Sequence, residues 1–200
     1  LAHYLDRYDG GIYGDIIVDG DIHTANQKAA GLETRDQAKT FIYAWLYGAG
    51  PQKIGSIVDG GVKDGQRLMT RFLSKMPALK HLKSAIEKAL ESRGHMVGLD
   101  GRRIPIRSKH SALNALLQCA GAVLMKQATV DARRLHWMEQ LDSHQVAHIH
   151  DEIQYEVASA DAERVGELTV KAIQEAGTPF GFKCPLDGEY KIGRDWSETH

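Results

Sequence analysis

Apolar positions recur at three- and four-residue spacing through most of the first hundred residues, the period of helices that each bury one face. Thr34 precedes one such stretch, and Gly48 and Gly50 follow it, so the pattern predicts a capped helix from Arg35 to about Tyr47. Two more helices are expected at about 63–75 and about 77–92. The segment GLDGRRIPIR (98–107) then switches to alternation around a turn. From Ser111 to about Leu141 the helical period returns, with Leu113, Leu116, Leu117, Ala120, Leu124 and Met125 on one face. VAHIHDEIQYEV (146–157) reads as two short strands with Asp151-Glu152 at the bend. Ser159 is positioned to cap a helix carrying Val165, Leu168, Ala172 and Ile173, which Gly177 would end. A last short strand is expected around Glu189, Tyr190 and Ile192.

This order implies an α+β fold. A helical subdomain, 1–100, would precede a small antiparallel sheet backed by helices, 101–200, with the border near Asp100. Composition adds bounds. Two hundred residues, 42% of them hydrophobic, suffice for one large core or two small ones. No uninterrupted apolar run approaches the ~18 residues of a membrane span, so none is expected. The chain begins Leu-Ala-His without an initiator Met, as expected of a piece of a longer or processed polypeptide. Cys119 and Cys184 lack metal-ligand spacing and are expected to be free buried thiols in a reducing, cytoplasmic setting.

The net charge of −1 hides an asymmetry. Residues 67–110 hold eleven Lys/Arg against three Asp/Glu, a local +8, and the remainder holds fourteen against twenty-three, a −9. Such a block suits a polyanion met on one surface; a solvated helix face explains part of it equally well.

Candidate chemistry concentrates first on the predicted 35–47 helix. Arg35, Lys39, Tyr43 and Tyr47 stand four residues apart, so they drift only slowly around one face over about 18 Å. The cations lie where free N–H groups and the helix dipole already favour an anion. A polyphosphate could rest against them, with a sugar and base further along against the two tyrosines. Phe41, Ile42, Trp45 and Leu46 supply a separate apolar side, which weighs against tyrosines that merely pack inward. Gly48 would allow close approach of a base or another chain.

In the second half, His150-Asp151-Glu152 puts paired carboxylates at a tight bend, a hard-oxygen arrangement that suits Mg²⁺ with phosphates and water. His144, His148 and His150 suggest zinc, and His148 and His150 would share a strand face, but no Cys or third ligand joins that pair at persuasive spacing. Gly50-x-x-x-x-Gly55-Ser56 has the outline of a P-loop without its Lys or a preceding strand. Gly48-Ala-Gly50 follows a helix and not the strand a dinucleotide fold needs.

The spacing Arg35-x-x-x-Lys39-x-x-x-Tyr43-x-x-x-Tyr47-Gly48 resembles the fingers helix of family A (DNA polymerase I-like) DNA polymerases, and TRDQAKTFIYAWLYGAGPQKIG resembles its bacteriophage branch. The resemblance implies that Arg35 and Lys39 hold the incoming triphosphate, Lys39 in a catalytic role. It implies that Tyr43 faces the sugar, where a Tyr accompanies poor rejection of dideoxynucleotides, and that Tyr47 stacks at the nascent pair. GDIHT (20–24) resembles the Asp-Ile-His segment, which assigns His23 to the triphosphate. HDE resembles motif C, which implies a metal-ligand role for Asp151, a supporting one for Glu152, and a place for His150 near the primer terminus. LNALLQCAGAVL (113–124) resembles a helix whose polar residues, here Asn114 and Gln118, reach the primer–template minor groove. GLDGRRIPIRSKH (98–110) is similar to the link from fingers to palm, making Arg102, Arg103 and Arg107 candidate phosphate contacts.

The motifs follow the family's order from His23 to Asp151. The implied function is the fingers and part of the palm of a template-directed DNA polymerase in replication, in the cytoplasm of a bacterial host. It would add deoxynucleotides to a primer 3′-hydroxyl with two Mg²⁺ ions, Mn²⁺ substituting. Implied partners are primer–template DNA, deoxynucleoside triphosphates and an N-terminal polymerase part carrying motif A, a thumb and a proofreading exonuclease. A thioredoxin-like processivity factor would bind through that thumb. Asp6, Asp9, Asp15 and Asp19 do not sit in a motif A pattern, so the chain alone is expected to be inactive. Three alternatives stay open: a non-catalytic nucleotide- or DNA-binding subunit, a single-subunit phage RNA polymerase fragment, and a zinc hydrolase built on the histidines.

Overall fold

The computed structural model describes residues 1–199. The chain forms two compact units, Leu1–Cys119 and Ala120–His200, so the division falls within a long helix and not at the Asp100 turn.

The first unit is built from α1 (Ala2–Asp9), α2 (Ile12–Asp19), α3 (Ile22–Ala30), α4 (Arg35–Leu46), α5 (Pro51–Gly55), α6 (Val62–Lys75) and α7 (Pro77–Arg93). A two-stranded antiparallel hairpin follows, β1 (His95–Val97) with β2 (Arg103–Pro105), register Met96 opposite Ile104. The helical expectation for 1–100 therefore holds except at β1, which lies beside α7. The first turns of α8 (Ala112–Met138) complete the unit.

The sequence encodes α4 through its entry. Thr34 accepts the Gln37 N–H at 3.1 Å, and the Gln37 side chain accepts the Thr34 N–H at 3.2 Å. This reciprocal capping satisfies two donors that the first helical turn leaves over. Burial of Ala38, Phe41, Ile42 and Trp45 fixes the inward face. Phe72 of α6 meets Phe41 and Trp45 edge-on, with centroids 5.1 and 5.7 Å away, the geometry that ring quadrupoles favour. Lys83 of α7 places its ammonium 5.2 Å from the Trp45 ring centre. Helices α5 and α6 approach backbone to backbone. A Cβ on Gly55 would collide with the Gly61 carbonyl, and one on Gly65 with the Pro51 carbonyl. Glycine is required at both because any side chain would push the helices apart.

The second unit contains the rest of α8, the hairpin β3 (Ser143–Ile149) and β4 (Glu152–Val157), α9 (Ala162–Glu175) and the short α10 (Trp196–Thr199). Its core carries Val123, Leu124, Ala128 and Ala132 of α8, with Val165, Leu168 and Ala172 of α9. Buried His136 ties three elements together, bonding Ser143 Oγ at 3.0 Å and Thr169 Oγ1 at 3.2 Å.

Three local expectations are corrected here. The β3–β4 bend is His150-Asp151, because Ile149 pairs with Glu152 and makes Glu152 the first residue of β4. His150 takes φ +56°, the left-handed conformation that two-residue hairpin connections favour. Asp161 and not Ser159 stands at the start of α9, and its carboxylate accepts the Asp142 N–H at 3.0 Å. Finally, no strand forms around Glu189–Ile192. That segment is held by side chains on α9: the Tyr190 ring covers Gly166, its hydroxyl bonds Glu163 at 2.7 Å, and Gln174 reaches Asp187 at 3.0 Å. The Tyr190 ring rests on α9 while Ile192 stays half exposed, so one ring contact holds the segment in place of a ladder.

Among the described residues no disulfide forms, and Cys119 and Cys184 are half-buried and not the buried thiols expected. No helix there is long and apolar enough to cross a membrane. The α+β assignment stands, with helices predominating over two small antiparallel sheets.

Candidate nucleotide and nucleic-acid interface

In the first unit, α4 separates its two stripes. Ala38, Phe41, Ile42 and Trp45 point inward, while Arg35, Lys39, Tyr43 and Tyr47 are all exposed. Tyr43 and Tyr47 keep 50% and 60% of their surface open, so they are not needed for the core. Two cations followed by two phenols thus form one open face in the expected order.

Asp21 links the helix that carries His23 to Arg35 at the start of this face. Asp21 caps α3, accepting the His23 and Thr24 N–H groups at 3.0 and 3.2 Å and the Thr24 hydroxyl at 2.8 Å. The same carboxylate accepts Arg35 Nε at 2.9 Å. This Arg35 bond, followed by those from Thr24, holds the Asp21 carboxyl well below the usual carboxylate range. The His23 Nδ1 is buried and makes no hydrogen bond among the described residues.

Below the cations, Thr40, Tyr43, Ala44, Tyr47, Gly48, Ala49 and Lys53 line a shallow cleft of about 420 Å³. Lys53 was missed in the sequence because α5 carries no stripe. The signal was there only as a cation six residues past Tyr47. Gly48 takes φ +80°, and a Cβ on it would lie 2.8 Å from the His110 carbonyl oxygen. The close approach expected of a base or another chain is made by this chain's own backbone.

Gln118 donates its side-chain amide to the Tyr47 hydroxyl at 3.1 Å. Asn114 lies one turn earlier on α8, half-buried. The minor-groove candidates and the tyrosine end of α4 are therefore neighbours. The three arginines behave differently. Arg102 is committed to Asp100, with Nε at 2.7 Å from one carboxylate oxygen and a terminal nitrogen at 2.6 Å from the same oxygen, and Asp100 is held below the carboxylate range by this pairing. That geometry braces the β1–β2 turn. Arg103 and Arg107 are exposed.

In the second unit, Asp151 sits exposed at the tip of the β3–β4 hairpin beside His150. Glu152 opens β4, half-buried, and accepts the Gln154 side-chain amide. Two carboxylates at a hairpin tip are suitable hard donors for Mg²⁺. Among the described residues, however, no three His, Cys, Asp or Glu side chains gather into a metal cluster. The donor set therefore fits Mg²⁺ only in part, and the three-histidine zinc reading gains no support. His144 instead pairs with Asp142 at 3.0 Å.

The model of DNA polymerase family A matches residues 17–198. The chain is 41% identical over its whole length to the DNA-directed DNA polymerase of Enterobacteria phage T3, and 39% identical to that of Escherichia phage T7, covering 31% of each. It is 28% identical, over 83% of its length, to DNA polymerase I of Aquifex aeolicus. It thus spans about a third of the length of these relatives. Its fold is similar to the POL domain of Pol1 from M. smegmatis, solved in complex with DNA primer-template and dNTP. The TM-score is 0.79 at 18% identity, covering 93% of this chain and 35% of that one. Matched over nearly its whole length, the chain belongs to DNA polymerase family A.

Proposed function

We propose that this chain is the fingers and part of the palm of a template-directed DNA polymerase that extends a primer 3′-hydroxyl with deoxynucleotides. The observation that carries the reading is the open Arg35–Lys39–Tyr43–Tyr47 face of α4, separate from its buried stripe. Arg35, Lys39 and His23 take the triphosphate and offset its charge as the 3′-hydroxyl attacks the α-phosphate and pyrophosphate departs. Tyr43 meets the sugar, and Tyr47 stacks at the templating pair. Asn114 and Gln118 test pair geometry through minor-groove acceptors, which every base pair presents. Arg103 and Arg107 contact backbone phosphates, while His150 lies by the primer terminus.

Asp151, supported by Glu152, would hold Mg²⁺, or Mn²⁺ in its place. The chemistry such ions would supply, when bound, is activation of the attacking hydroxyl and stabilisation of the leaving oxygens. One exposed carboxylate fixes two ions poorly. We therefore assign the further carboxylate to an N-terminal polymerase part carrying motif A, the thumb and an exonuclease. A thioredoxin-like processivity factor would act through that thumb.

Primer extension tests this. The chain combined with the motif A-bearing part is expected to extend a DNA primer, and Asp151→Ala to lower the rate by more than about a hundredfold, the scale of losing one charge-stabilising group. Unchanged extension by Asp151→Ala would favour a non-catalytic subunit. A preference for ribonucleotides would favour an RNA polymerase.

A further inference from the structure

Resting on that nucleotide reading, we infer that Asp21 is a positioning residue: it presents Arg35 to the triphosphate and locks the Arg35 end of α4 to the His23 end of α3. The geometry is specific. One Asp21 carboxylate oxygen accepts the His23 and Thr24 N–H groups, and the other accepts the Thr24 hydroxyl and Arg35 Nε. A single side chain therefore caps the helix that carries His23 and restrains the cation that opens the next helix. Arg35 is engaged only through Nε. Its two terminal nitrogens make no hydrogen bond among the described residues and remain available as a fork, the geometry that binds phosphate oxygens in pairs.

Two effects oppose each other. An unrestrained arginine samples many rotamers and must be ordered when the anion binds. Against that, a carboxylate beside a triphosphate repels it. Asp21 and Arg35 keep 45% and 54% of their side-chain surface exposed, so water screens the repulsion. The hydrogen-bonded restraint is short-ranged and survives screening. Positioning therefore outweighs repulsion.

The cap and the charge can be separated. Asn is as good an N-cap as Asp but carries no charge for Arg35; Glu carries the charge but is not among the preferred caps. The experiment is equilibrium titration of the 200-residue chain with a deoxynucleoside triphosphate and Mg²⁺, alongside the melting temperature of each variant. Asp21→Asn is expected to keep the melting temperature and bind two- to fivefold more weakly, roughly the worth of an exposed ion pair. Asp21→Glu is expected to melt lower and recover most of the affinity. In an Arg35→Ala background, Asp21→Asn is expected to add no further loss. The inference is overturned if Asp21→Asn binds as tightly as the parent or tighter, if affinity follows melting temperature across the variants, or if the losses add. A chain that does not bind the triphosphate, or an Arg35→Ala variant that binds like the parent, overturns the nucleotide reading itself and this inference with it.

Discussion

The side-chain amide of Gln118 donates to the Tyr47 hydroxyl at 3.1 Å, across 71 positions of sequence. This bond links the end of the helix proposed to face the nucleotide to the helix proposed to read the minor groove. Both partners are exposed, so the bond itself is worth little beyond ~1 kcal/mol, whereas base stacking on an aromatic ring is worth about 1–3 kcal/mol. Tyr47→Phe is therefore expected to change the kcat/KM of primer extension by less than about fivefold. Tyr47→Ala should lower it roughly ten- to a hundredfold. Gln118→Ala should exceed the effect of Tyr47→Phe, because it also removes the donor proposed to reach the minor groove. Equal effects of the two would confine Gln118 to the Tyr47 contact.

Tyr43 lines the cleft on α4 with half its surface open, so its hydroxyl is free to reach a sugar. Tyr43→Phe is expected to lower dideoxynucleotide incorporation relative to deoxynucleotide by about fivefold or more, because the Tyr43 hydroxyl would stand in for the hydrogen bond of the 3′-hydroxyl that a dideoxynucleotide lacks. Competition between the two nucleotides in primer extension measures it. An unchanged ratio would remove Tyr43 from sugar selection.

Gly48 combines φ +80° with the His110 carbonyl where a side chain would go. Gly48→Ala is expected to destabilise the chain by about 1–2 kcal/mol from the left-handed conformation alone, and by more if His110 cannot yield. Gly50 has φ −76° and no atom near its would-be Cβ, so Gly50→Ala should stay within ~0.5 kcal/mol. Urea denaturation of the two variants makes the comparison.

His136 is 1% exposed and its ring meets Tyr155 edge-on at 5.2 Å. Burial pushes its pKa below the ordinary 6.5. Between the two values the unfolded chain binds more protons than the folded one, so stability rises with pH in that window. Stability from this group is whole above pH 6.5 and falls as the pH drops towards the folded value. Thermal unfolding followed from neutral to mildly acid pH should show the decline, and His136→Gln should flatten it. A decline that persists unchanged in the variant would assign it elsewhere.

Much of the first unit was legible because its signals are local. Thr34 and Gln37 form their capping box within three positions, and the buried and open stripes of α4 follow from the helical period alone. The open Arg35–Lys39–Tyr43–Tyr47 face was therefore readable before any packing was known. The misreadings came where local pattern is ambiguous. The alternation around Tyr190 admits a strand or an extended segment, and only the Gly166 surface of α9 decided between them. A carboxylate pair after His150 shows that a bend exists, but pairing of Ile149 with Glu152 sets which residues make it.

The sequence by itself determined the helices, the order of the motifs and the chemistry of each exposed stripe, because periodicity, caps and residue type act within a few positions. The tertiary structure alone decided the partners. It tied Arg35 to Asp21 across 14 positions, paired Tyr47 with Gln118 and placed the His110 carbonyl against Gly48. Such contacts depend on how separately formed elements pack, and no spacing along one element encodes them.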